Sequence, residues 1–189
     1  APAAPARVIN SLKGQIYVNL YGVIEFTISE TVKEAINFIN HKNLKLEDLK
    51  KPVWSLILNT QLDSLIGVSS KKWDKRLLLA NDIFNNVDCL ITNDVMPTDG
   101  KNFGYRQIKS VWDTFSITDS VLHDNAFGGR LSEIIDFRNK IAHGVTSPSD
   151  IGNRVTIGDL ANRYNEVSLF CSYVINVFED YLNREMFKI

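Results

Sequence analysis

The sequence predicts an all-α protein, a helical bundle with long first and last helices and loop-rich central insertions. Three observations carry this expectation. Apolar residues return every three or four positions near both ends of the chain. Capping residues stand where these periodic stretches begin and stop, and Gly, Pro and small polar residues gather between them.

The first helix is expected over residues 8–39, where Leu12, Ile16, Leu20, Val23, Ile24, Ile28, Val32, Ile36 and Ile39 keep helical spacing. Gly14 and Gly22 interrupt it and mark either close packing against a neighbour or a bend. A charged connection then leads to Pro52, which suits the first turn of a second helix over 53–68. Ser69 and Ser70 are N-cap residues for a third helix through Trp73, Leu77, Leu78, Ala80 and Phe84. A polar loop over 92–104 separates it from a short helix over 105–115.

Residues 131–143 form an amphipathic segment that stops at Gly144, the usual residue just past a helix end. Residues 145–155 read as a loop, and Thr156 with Asp159 forms a capping box that opens the last helix. In that helix Leu160, Tyr164, Val167, Cys171, Val174, Phe178 and Tyr181 make one apolar seam, expected to face the core of its own chain rather than a coiled-coil partner.

Composition narrows the class of protein. With 44% hydrophobic and 23% charged residues the chain has enough apolar material for a real core, which argues against a disordered or fibrous protein. The net charge of −1 provides no overall field toward nucleic acid, so any such site must be a local patch. The two cysteines, Cys89 and Cys171, are too few for a disulfide framework and fit no zinc-ligand spacing, which suggests a reducing, cytoplasmic setting. No apolar run approaches the roughly 20 residues of a membrane span. The expectation is one helical domain over residues 8–189, preceded by a disordered or artificially added terminus over residues 1–7.

The chemistry concentrates on the 131–143 helix. At about 100° per residue, Leu131, Ile134, Ile135, Ile141 and Ala142 share one side, and Arg138 lies inside that apolar stripe. An inward arginine requires a partner, a wet cavity or an interface. An acidic residue such as Glu25 on the first helix would supply a purely structural partner. His143 projects from a different side at the frayed end, in reach of Asn139 and in line with Asp136, and an imidazole there can exchange a proton near neutrality.

The segment Phe137-Arg138-Asn139-Lys140-Ile141-Ala142-His143-Gly144 resembles the motif of the HEPN superfamily, an arginine followed after four to six residues by a histidine. Asn139 fits the polar residue often found beside that arginine. The motif's place, near the end of a penultimate helix before a loop and a long last helix, also resembles HEPN domains. The first helix, with Leu20-Tyr21-Gly22-Val23-Ile24-Glu25, is similar to the MAE-type HEPN nucleases.

The resemblance implies a HEPN-like bundle that dimerises so that two Arg/His pairs meet in one cleft and cut single-stranded RNA without a metal or cofactor. Arg138, His143 and Asn139 are then the catalytic set, with Asp136 and Glu25 as accessories. His143 would take the proton of a ribose 2′-hydroxyl while Arg138 stabilises the phosphorane, leaving 2′,3′-cyclic phosphate and 5′-hydroxyl ends. Arg138 and His143 lie about 140° apart on the helical wheel, and a two-fold interface would reconcile their directions. The resemblance also suggests a toxin or anti-phage defence effector with an antitoxin or defence-system partner. Val145 stands where HEPN toxins regulated by nucleotidyltransferase partners carry a tyrosine, which disfavours that regulation here.

Other sites are weaker. Lys71, Lys72, Lys75 and Arg76 surround Trp73, either as an RNA-tracking patch or as a solvated face with Trp73 turned into the core. His123-Asp124 has no nucleophile signature beside it and reads as a turn. Three histidines without metal-ligand spacing offer no dedicated metal site, and there is no phosphate-cradling Gly-rich loop. A non-catalytic HEPN module that dimerises or binds a nucleotide or a partner is the competing expectation.

Overall fold

The computed structural model describes residues 3–67, 70–92, 95–98 and 102–189. Among them it is all-α, 69% helical with eight helices and no strands. The helices are α1 (Ala3–Asn40), α2 (Trp54–Ile57), α3 (Asn59–Ser64), α4 (Lys72–Phe84), α5 (Tyr105–Phe115), α6 (Phe127–Ala142), α7 (Pro148–Gly152) and α8 (Ile157–Asn183).

Helix α1 is the organising element, against which α6, α7 and α8 all pack. Tyr17, Tyr21, Ile24, Ile28, Val32, Ala35, Ile36 and Ile39 form its buried face. The glycines in α1 differ in purpose. A Cβ on Gly14 would come 2.0 Å from the carbonyl oxygen of Pro148, and one on Gly152 would come 1.8 Å from that of Asn10, so α7 crosses α1 backbone to backbone. Gly22 has open space around it and marks no contact.

Helix α8 runs parallel to α1. Asn10 and Lys13 bond to Asn153 and Val155 just before its start, and Thr27 contacts Cys171 well along it. The expected seam of α8 is buried at Leu160, Val167, Cys171, Val174, Phe178 and Tyr181, whereas Tyr164 is exposed. Thr156 and Asp159 form the reciprocal capping box, and those hydrogen bonds from Thr156 hold the Asp159 carboxyl below its usual range. Trp112 and Phe115 of α5 meet Phe178 edge to face, which ties α5 into the same core.

Several boundaries depart from expectation. The expected second helix is broken into a 3-10 turn over Lys51–Val53, α2 and α3, with Leu58 between the last two at φ −88° and ψ 8°. The loop before α8 contains α7, started by Pro148 and capped by Ser147. The expected cap Ser69 lies outside the described residues, and Lys71, at φ 57°, occupies the N-cap of α4. Helix α6 begins four residues early, at Phe127, whose ring stacks on Phe170 of α8.

Candidate functional site

Helix α6 stops by the glycine mechanism. Val145 N–H donates to Lys140 O (2.9 Å) and Gly144 N–H to Ile141 O (3.0 Å), with Gly144 at φ +66°. This places His143 at the C-cap, exposed to solvent, with its own N–H bonded to Asn139 O at 3.0 Å.

Arg138, one and a half turns earlier, is half-buried. Its Nη1 donates to Oδ1 of Asn102 (3.0 Å) and of Asn139 (2.9 Å), and its guanidinium carbon sits 4.5 Å from the centre of the Tyr21 ring. The inward arginine therefore has partners, but they are neutral. Among the described residues no carboxylate pairs with Arg138, so the ion pair with Glu25 considered from the sequence is not formed. The stripe that contains Arg138 is also wetter than the wheel suggests, since Ile141 is only half-buried and Ala142 is exposed at the fraying end.

Asn102 joins the parts. Its Oδ1 accepts from Arg138 and, at 3.4 Å, from the Tyr21 hydroxyl, while its Nδ2 donates to Asn139 Oδ1 at 3.0 Å. The next residue, Phe103, donates its backbone N–H to the Tyr21 oxygen at 3.1 Å. Burial, opposed by that N–H, and the nearby Glu25 carboxylate raise the Tyr21 phenol above its ordinary value, so the ring stays neutral beneath the guanidinium. Sequence reasoning missed Asn102, because its contact to Arg138 spans 36 positions and no local pattern announces it. Tyr21 carried only the helical pattern of α1.

The remaining residues stand apart. Asp136 is exposed and paired with Lys140 at 2.7 Å. Lys71, Lys72, Trp73 and Arg76 are exposed on α4, with Arg76 stacked 5.0 Å over the Trp73 ring. Lys75 reaches back to Ser64 O at 2.8 Å. Trp73 is 71% exposed, so of the two expectations for it the core-facing one is not met; no residue of α4 is buried. His123 lies among Phe127, Phe170 and Tyr173 and serves packing before α6. The one buried charged residue of the described chain is Arg163 on α8, which bonds Glu133 of α6 (2.6 Å) and Glu166 (2.9 Å). Glu133 thus fastens α6 to α8.

Among the described residues no group of three or more His, Cys, Asp or Glu is placed to hold a metal ion, and no helix is long and apolar enough to cross a membrane. Arg138 differs from Arg163 in a chemically informative way. Arg163 is neutralised by two carboxylates, whereas Arg138 is oriented by two amides and a ring and keeps its charge available to an anion.

No curated protein and no solved structure matches the chain. A family model described as MAE_28990-like HEPN matches residues 6–187, nearly the whole chain. The Arg138–His143 motif on the penultimate long helix thus lies within a match that covers all eight helices almost completely, and this chain belongs to the MAE_28990-like HEPN family.

Proposed function

We propose that this chain is a metal-independent endoribonuclease that cuts single-stranded RNA, acting as a toxin or anti-phage defence effector in the cytoplasm. The observation that carries the reading is the held but unneutralised guanidinium of Arg138, five positions before the solvent-facing imidazole of His143 on the same helix. A phosphodiester is the anion that this pairing suits. Neutral His143 takes the proton of the ribose 2′-hydroxyl, the 2′-oxygen attacks phosphorus, and the 5′-oxygen leaves with a proton from an imidazolium. Arg138 stabilises the added negative charge on the non-bridging oxygens, and Asn139 keeps the guanidinium aimed.

The step needs both a base and an acid, and each copy supplies a single imidazole at the end of α6. Arg138 and His143 also diverge by about 140° around that helix. A homodimer with a composite cleft meets both requirements, because a two-fold axis brings a second histidine and a second arginine. An antitoxin or defence partner would then act by occluding this cleft. Asp136 and Glu25 remain outside the reacting set, the first held by Lys140 and the second beside Tyr21.

The test is incubation with single-stranded RNA in EDTA, comparing wild type with Arg138→Ala and His143→Ala and analysing product ends. Cleavage by wild type alone, with 2′,3′-cyclic phosphate and 5′-hydroxyl termini, is the expected result. Binding of RNA or nucleotide without cleavage, weakened by the same two changes, would instead identify a non-catalytic module.

A further inference from the structure

The residues that hold Arg138 lead straight into a second surface feature. Asn102 bonds to Arg138, Phe103 is buried with its N–H on the Tyr21 oxygen, and Gly104 lies against α6, where a Cβ would come 3.7 Å from Cδ1 of Ile135. The segment that opens α5 is therefore pinned to α1 and α6 at the candidate site. Tyr105 and Arg106 follow directly, and the backbone of Arg106 lies at most about 14 Å from that of Asn102.

From there a polar groove of about 680 Å³ runs along α5, bounded on its other side by the 3-10 turn at Lys51 and by Ser55 of α2. Arg106 and Thr114 mark its two ends on α5, about 12 Å apart along the helix. Three cations border it. Lys109 is neutralised by Asp113, its Nζ 2.7 Å from Oδ1. Arg106 and Lys51 are exposed, and no carboxylate among the described residues pairs with either. Tyr105 is 51% exposed beside Arg106, whereas Trp112 and Phe115, the other aromatic residues of α5, are buried in the core. The groove thus has two uncompensated positive charges and one aromatic ring facing solvent, on the side that adjoins Asn102.

We propose that a single RNA strand bound at Arg138 continues across Tyr105 into this groove, with a base stacked on the Tyr105 ring and the flanking phosphates held by Arg106 and Lys51. The inference rests on the nuclease reading of the Arg138 site and adds the course of the strand beyond it. Cations spaced along a groove track a phosphate backbone, and an exposed aromatic ring beside them takes a base of any sequence. With a net charge of −1 the chain can attract RNA only through such a local patch. An acidic peptide would engage the two cations, but a nucleic acid also uses the stacking ring, in line with a cation suited to a phosphodiester.

The experiment reads binding and cleavage separately. Binding is followed by fluorescence anisotropy with a labelled 2′-O-methyl strand of about 12 nucleotides, which lacks the attacking hydroxyl and stays intact. Tyr105→Ala should weaken binding about 5- to 100-fold. Arg106→Ala and Lys51→Ala should each weaken it at low salt and reduce the slope of log affinity against log salt by about 0.7, the loss of one phosphate contact. On unmodified RNA the same changes should raise KM rather than lower kcat. All three side chains are exposed, so the variants should keep the wild-type circular dichroism. An unchanged salt slope in Arg106→Ala and Lys51→Ala overturns the proposal, even where wild type cuts RNA, and so does a wild type that does not bind the strand. Binding with the expected variant pattern but no cleavage would remove the nuclease reading and leave the strand's course in place. Affinity lost in Lys72→Ala and Arg76→Ala, with none lost in the α5 variants, would place the strand on α4 and overturn the proposal.

Discussion

The guanidinium of Arg138 stacks 4.5 Å above the ring of Tyr21, so the motif helix α6 and the long helix α1 meet at the residue proposed to face the scissile phosphate. The stack restrains the plane of the guanidinium, while Asn102 and Asn139 restrain its rotation. Lysine at position 138 would keep the charge and lose the planar fork. Arg138→Lys is expected to lower RNA cleavage about 100-fold or more, with little change in thermal stability, checked by single-turnover rates beside a melting curve. Activity near wild type in Arg138→Lys would leave the held geometry without a catalytic role.

His143 should separate chemistry from folding most cleanly. It is exposed at the C-cap, and only its backbone N–H is engaged with Asn139. His143→Ala is expected to reduce cleavage by about 10²- to 10⁴-fold, the usual range for a general acid or base, at a stability within about 0.5 kcal/mol of wild type. Matched urea unfolding curves and cleavage time courses test both halves.

The three glycines of the α1/α7 region make a graded stability series. Gly14→Ala and Gly152→Ala place a methyl against a backbone carbonyl that cannot swing away, so each should destabilise by about 1–3 kcal/mol or more as helix α7 is pushed off α1. Gly22→Ala meets open space inside a helix and should stabilise by about 0.5–1 kcal/mol. Urea midpoints of the three variants give the order, and a destabilised Gly22→Ala would contradict it.

Removing one carboxylate from the buried Arg163 should cost more than removing an exposed pair. Glu133→Ala leaves a cation that is 7% exposed with Glu166 alone, and about 2 kcal/mol is expected after allowing for the partial exposure of both carboxylates. Asp136→Ala, which breaks only the exposed pair with Lys140, should change stability by less than about 0.5 kcal/mol. Equal losses in the two variants would argue against the fastening role assigned to Glu133.

Acid sensitivity should report on the C-terminal turn. Hydrogen bonds from Lys188 and Lys42 hold the Glu185 carboxyl at about 2, well below its ordinary value of 4.5. A depressed carboxyl contributes stability above its ordinary value and loses that contribution as pH falls from about 4.5 toward about 2. Glu185→Gln should therefore flatten the acid limb of the stability curve over that window and leave the limb above pH 6 parallel to wild type.

Much of the fold was legible because it is written in local terms. The stop at Gly144, the capping box of Thr156 and Asp159, and the buried seam from Leu160 to Tyr181 each depend on residues within a turn or two of one another. The two expectations for Trp73 stayed open for the same reason. Its periodicity with Leu77 and Phe84 shows that the three share a face, but not whether anything lies opposite that face, and nothing in its own chain buries it. The break between α2 and α3 failed likewise, since an apolar run shows that a segment is buried and not whether its helix is continuous.

The sequence alone determined the helical class, the stop of α6, the start of α8 and the five-residue separation of Arg138 and His143, because short-range hydrogen bonding and the 3.6-residue period set all of them. Only the tertiary structure decided what surrounds Arg138. Asn102 and Tyr21 reach it from 36 and 117 positions away, across turns whose directions no local preference encodes. Their neutral character, rather than the motif itself, leaves Arg138 a cation that no carboxylate among the described residues neutralises.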